Sequence, residues 1–271
     1  MRKLLALLLA IATLSAGCSA GSDDPDPRPA LSKGETISLA SLGLDWPRAT
    51  GTLTPPKRPA TPAGFDDVDL DEMAKVLTKW ATVAALDDAV WQDNDPRPAV
   101  AATLPKAAGS TLRKQVKDAV SPHLAVANVF ADDVSIIGKP LVTSAWKVSK
   151  DKDGKGKSYI LLELQTRTAY EVRSGDGPTR VIGVLRVHGL SAYADTTDDF
   201  GVGGGWQEYG AGDCALALDD ELRPESDGAD ALKDLKTFTR IGDGSKLEMP
   251  ELGVQEQVDD EYLKRCREGQ V

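Results

Sequence analysis

From residue 158 to residue 173, apolar and polar side chains alternate for longer than an ordinary strand lasts. Ile160, Leu162, Leu164, Thr166, Thr168, Tyr170 and Val172 point one way; Glu163, Gln165, Arg167, Glu171 and Arg173 point the other. A period of two sustained over that length demands an extended strand with one face on a core. At ~3.3 Å per residue it spans ~50 Å, so it must bend to stay within a domain of this size. Residues 141–148 and 180–193 read as its neighbours, joined to it through Gly/Asp turns. Pairing Val172 with Val181 sets Tyr170 opposite Gly183, Thr168 opposite Leu185 and Thr166 opposite Val187. This register buries one coherent face. It leaves Arg167 opposite Arg186 on the exposed face, where like charges repel, and places His188 there beside Gln165.

Upstream the period is helical. Leu70, Met73, Leu77, Trp80 and Ala84 recur at helical spacing, and Val76, Val83 and Val90 widen the stripe. Asp66, Asp67, Asp69, Asp71 and Glu72 crowd its start, where the macrodipole favours anions. Asp95-Pro96-Arg97-Pro98 ends the pattern. A second helix is expected with Ser110 as N-cap, Leu112, Val116 and Val120 on one face, and Pro122 as its stop. Trp80 and Trp91 read as packing residues. Beyond about residue 200 the pattern is less regular. Residues 215–218 suggest one more strand, and Val254, Val258, Tyr262 and Cys266, four apart, a C-terminal helix. The expected fold class is α+β: N-terminal helices packed on a bent antiparallel sheet of long strands.

The first 18 residues set the compartment. Arg2 and Lys3 precede an apolar run, 4–14, which is too short to span a bilayer and has the form of a secretory leader. It ends in Leu14-Ser15-Ala16-Gly17-Cys18. Small residues directly before a cysteine resemble the lipobox of bacterial lipoproteins, although Ser15 stands where that motif usually has leucine. The resemblance implies removal of residues 1–17, a diacylglyceryl group on Cys18 and anchoring at the extracytoplasmic face of the cell membrane. Residues 18–64 then read as a lipidated tether. Half of the 16 prolines lie there, breaking helix and sheet alike, and a coil of that length reaches ~40 Å. Within it Ile37, Leu39, Leu42, Leu44 and Trp46 suggest a short strand or an arm lying on the folded domain, which occupies residues 65–271. Helices followed by long, bent antiparallel strands are similar to the NTF2-like (cystatin-like) cone, a fold found in actinobacterial envelope lipoproteins. That resemblance covers roughly residues 66–218 and rests on element order.

With Cys18 lipidated, Cys214 and Cys266 remain as a pair in an oxidising compartment, and a disulfide closing so long a loop contributes ~4 kcal/mol. No His lies near either cysteine and no CxxC occurs, so zinc is not indicated. The formal charge of -10 becomes -12 once Arg2 and Lys3 are removed, which argues against nucleic acid and against binding to anionic headgroups. Membrane attachment falls to the acyl chains.

Motifs for chemistry are sparse. Asp151-Lys152-Asp153-Gly154-Lys155-Gly156 opens like a calcium loop, but Lys155 and Leu162 hold the fifth and twelfth places, so it reads as a hairpin turn. Asp195, Asp198 and Asp199 precede a glycine-rich run, 201–206, and read as a solvated acidic loop. That run lacks the Lys-Ser/Thr pair and following helix of a phosphate cradle. His123 follows Pro122 and reads as a surface cap. No serine has a GxSxG setting, and no pair of carboxylates stands out. No catalytic residue, metal ligand or cofactor is therefore assigned, and the ligand-binding residues are left open. The expectation is a non-catalytic envelope lipoprotein that binds a partner protein or small ligand. A hydrolase using the mouth of the cone and a structural accessory of a membrane complex stand as alternatives.

Overall fold

The computed structural model describes residues 34–117, 119, 121–194, 200–240 and 260–268. One antiparallel sheet contains β1 (Val134–Ile136), β2 (Leu141–Lys152), β3 (Ser158–Ser174), β4 (Arg180–Tyr193) and β5 (Gly201–Tyr209). β1 and β2 lie one after the other along one side of β3, with β4 and then β5 on its other side. Asp153 shapes the β2–β3 turn by accepting the N–H groups of Lys155 and Lys157, each at 2.9 Å. The aspartate–glycine run there is a hairpin turn.

The long apolar stripe forms α1 (Asp67–Leu86), followed by α2 (Asp88–Trp91), α3 (Arg97–Ala101) and α4 (Lys106–Val116). Leu70, Met73, Leu77, Trp80 and Ala84 are buried with Leu162, Leu164, Tyr170, Ile182, Val184 and Leu190 of the sheet. Each such side chain taken from water contributes roughly 1.5–3 kcal/mol, so α1 is held by its stripe rather than by propensity. After the sheet come α5 (Asp213–Asp219), α6 (Gly228–Arg240) and α7 (Asp260–Glu268). Leu235 and Phe238 of α6 cover the opposite sheet face, where Ala169, Val181, Leu185 and Tyr209 lie. A Cβ on Gly183 would sit 2.7 Å from the Phe238 ring, so only glycine lets α6 approach this closely. The fold is α+β. Among the described residues no helix is long and apolar enough to cross a membrane.

The N-terminal arm is packed from Ile37 onward. Ile37 and Leu39 complete the second core with α6, and Leu39 N–H donates to Glu171 at 2.9 Å. A 3-10 turn, Leu39–Leu42, takes the place of the strand considered for this stretch. The arm then rounds the β2 edge, where Ala49 N–H donates to Pro140 O at 2.8 Å. Leu53 is buried against the α1 side, and Arg58 ties the arm to α1 through Asp67 and Asp71. Part of the segment read as coil is therefore ordered chain.

Further expectations are corrected. Val181 pairs with Glu171, not Val172, and Arg186 pairs with Thr166, so the whole β3–β4 register is shifted by one residue. The reason is that β4 is buried on both faces, Val181 and Leu185 under α6 and Ile182 and Val184 under α1. Its apolar pattern therefore cannot choose a face. The shift brings Arg186 and His188, read as exposed, to the α1 side, 3% and 2% exposed. Ser110 lies within α4, which begins after Pro105, and the helix ends at Val116, before Pro122. The glycine-rich stretch after residue 200 is strand β5, and residues 215–218 belong to helix α5.

Candidate functional site

Between α1 and the sheet lies a buried polar layer. Residues 121–127 make one helical turn, with Ala125 N–H bonded to Ser121 O and Ala127 N–H to His123 O. Arg186 from β4 closes its C-terminal end, donating to Leu124 O and Ala127 O at 2.5 Å each and to Asn128 Oδ1 at 2.5 Å. Asn128 Nδ2 donates to the Tyr170 hydroxyl at 2.7 Å, which in turn donates to Ala85 O. At the other end of the turn Asp220 accepts His123 N–H at 2.6 Å and Leu124 N–H at 3.1 Å. Burial lowers the Arg186 guanidinium to about 9, since its partners are carbonyls and an amide rather than a carboxylate.

His188 lies in the same layer, its ring edge-on to Trp80 with centroids 4.7 Å apart. Burial, with Arg186 nearby, pushes the imidazole down to about 3. A ring neutral over the physiological range and sealed under Trp80 is core, not a general base. His123 Nδ1 stands 3.5 Å from Asp220, but the Ser121 hydroxyl also bonds Asp220. Serine and histidine both meet the same aspartate here. The trio holds the turn.

The site with chemical capacity lies where β5 ends. Glu208, Asp213, Glu225, Asp230 and Asp234 line a cavity of about 280 Å³ together with Gly210, Ala211 and Ala231. They come from different elements: Glu208 from the end of β5, Asp213 and Asp230 from the first turns of α5 and α6, Asp234 from one turn further along α6, and Glu225 from the loop before α6. Asp234 is held by Gly210 N–H, which it accepts. Glu225 accepts Asp227 N–H at 2.9 Å, steadying the approach to α6. Burial, reinforced by Asp213 and Asp234, pushes the Glu208 carboxyl up to about 7. Burial likewise raises Asp234. The result is an acid that titrates near neutrality beside other carboxylates. Such a group can donate a proton or meet a cationic group.

Sequence reading assigned none of these five residues. They belong to three elements and a loop, with no motif spacing, and the only local signal is a lone acid in a glycine-rich strand. A second cavity, about 490 Å³, separates arm residues 47–56 from Val142, Thr143 and Ser144. Cys214 and Cys266 form a disulfide across 52 residues, joining α5 to α7. Cys18, Asp195, Asp198 and Asp199, and the helical positions Val254 and Val258, lie outside the described residues. Among the described residues no three His, Cys, Asp or Glu side chains are grouped to hold a metal ion. Compared with protein-family models, curated proteins and solved structures, the chain matches none.

Proposed function

We propose that the chain is an exported lipoprotein, acylated at Cys18 and held on the extracytoplasmic face of the cell membrane, whose α+β domain is a non-catalytic binding module for a partner protein or small ligand. One observation carries the location. Of three cysteines, the two in the domain are joined to each other, a bond that persists in oxidising compartments. The third follows the leader at the lipobox cysteine position. Residues 1–17 are the leader in this reading, and the NTF2-like cone is its reading of helices laid on long antiparallel strands. Cys18→Ser is expected to abolish labelling by a palmitate analogue and to release the protein from washed membranes. Equal membrane retention of both forms would overturn the proposal.

The acidic cavity favours a second reading, an extracytoplasmic hydrolase. Glu208, held near 7, has the protonation state that general-acid cleavage of a glycosidic bond requires. In this reading the chemistry lies at the end of β5. Turnover of a chromogenic glycoside panel that disappears in Glu208→Gln would establish it; turnover retained in that variant, or none in the native chain, would reject it.

A further inference from the structure

β2 is an edge strand whose outer side is used only at its first residues. Arg48 bridges Leu141, and Val142 N–H donates to Pro47 O at 3.0 Å. Because backbone groups alternate in direction along a strand, those of Ser144, Trp146 and Val148 also face outward, while those of Thr143, Ala145 and Lys147 face β3. Among the described residues nothing bonds the outward backbone groups of these three. The arm itself begins to add a strand here and then leaves. Gly51 (φ 89°) turns it back, and Pro55 and Pro56 have no N–H to offer. It returns along the α1 side, held by the Trp146 ring N–H on Pro56 O at 2.8 Å and Lys150 Nζ on Ala63 O at 2.9 Å. The 490 Å³ groove opens where arm and strand part.

The charge of this edge is opposite to that of the chain. Lys147, Lys150, Lys152, Lys155 and Lys157 fall in one strand and its turn, against Asp151 and Asp153, in a protein of net charge -10. Asp153 is spent on the turn, and Lys147 sits 3.3 Å from Glu163. At physiological salt the Debye length is about 8 Å, so an incoming segment feels this local field rather than the distant acids. We propose that the open edge of β2 takes an extended acidic peptide by strand addition, entering at the groove beside Ser144 and running along Trp146 and Val148. A second copy of the chain fits worse. Two β2 edges paired antiparallel about Trp146 would bring Lys150 of each copy to Val142 and Arg48 of the other, and lysines on an edge disfavour such pairing. The inference gives the binding-module reading its partner class and rests on that reading. It does not depend on Cys18, so loss of lipidation and loss of docking are separate results.

The test uses the full chain in non-ionic detergent with a fluorescein-labelled (Glu-Thr)5 peptide, read by anisotropy at two salt concentrations. Saturable binding is expected, at least tenfold weaker for a peptide N-methylated at alternate residues and for (Lys-Thr)5. Val148→Pro removes an outward N–H that bonds nothing among the described residues, so the strand tolerates it, and it is expected to weaken binding at least tenfold. Lys150→Glu is expected to weaken it several-fold and flatten the salt dependence. Hydrogen exchange on the native chain gives an answer independent of any variant: amides of Ser144, Trp146 and Val148 slow when peptide is added, while those of Ala145 and Lys147 are protected throughout. No saturable binding, equal binding of the N-methylated or lysine peptide, or no slowing at those three amides overturns the proposal. So does a dimer in sedimentation that Val148→Pro dissolves.

Discussion

Replacing Glu208 by glutamine should stabilise the protein at pH 8 and leave it unchanged at pH 4. The carboxyl ordinarily titrates at 4.5 and is held at about 7 in the fold. Between those values the unfolded chain loses its proton and the folded chain keeps it, so the folded state binds more protons and stability falls as pH rises. At about 1.36 kcal/mol per pH unit over the window from 4.5 to about 7 the loss is a little over 3 kcal/mol, and the partial exposure of Glu208 brings it to about 2–3 kcal/mol. His188 acts with the opposite sign. Its folded value of about 3 lies below the ordinary 6.5, so the unfolded chain binds the extra proton and stability falls as pH falls through that window. From 4.5 to 6.5 the contributions of these two groups nearly cancel. Glu208→Gln removes one of them. The variant should gain stability steadily from pH 4.5 to 6.5 and exceed the native protein by about 2–3 kcal/mol at pH 8. Urea unfolding at half-unit pH steps, with the disulfide intact, reads this directly. A constant difference between the two proteins across pH, or a divergence complete by pH 5, would refute the assignment of a raised carboxyl at 208.

Two further predictions concern the scaffold. Arg186→Met keeps the stem's volume but leaves Leu124 O, Ala127 O and Asn128 Oδ1 without their donor, and should cost about 2–4 kcal/mol in urea unfolding; a loss below 1 kcal/mol would show that the layer is not holding the 121–127 turn. Cys214→Ser should speed amide exchange in α7, which is bonded to α5 by the disulfide, while β3 and β4 amides keep their protection; loosening of the strands at the same rate would show that the bond supports the whole domain.

How much was legible follows from what each stretch packs against. α1 buries one stripe and β3 keeps polar side chains on one face although Glu163, Gln165 and Ala169 there are buried too, so their periods of 3.6 and 2 were readable, and the β2–β3 turn was readable because Asp153 and the glycines sit between two alternating runs. β4 is covered on both faces, so its apolar residues could not specify which side Arg186 occupied. β5 carries Gly201, Gly203, Gly204 and Gly205, with too few side chains to alternate; its strand character comes from the ladder with β4. Four apolar residues at 215–218 do not distinguish strand from helix. The acidic cavity was invisible because Glu208 and Asp234 meet only after α6 folds back onto β5.

The sheet packs on one face against α1 and the turn 121–127, and on the other against α6 and the N-terminal arm. The turn is itself fixed at both ends, a carboxylate from Asp220 on its N–H groups and a guanidinium from Arg186 on its carbonyls, each sign matched to the dipole it meets. A slip of β4 by one residue would withdraw Arg186 and leave those carbonyls buried without a donor, so the polar layer pins the register that the apolar pattern could not. The two edges of the sheet are opposite in charge: lysines along β2, carboxylates at the end of β5. An acidic extended segment complements the first and a cationic group the second.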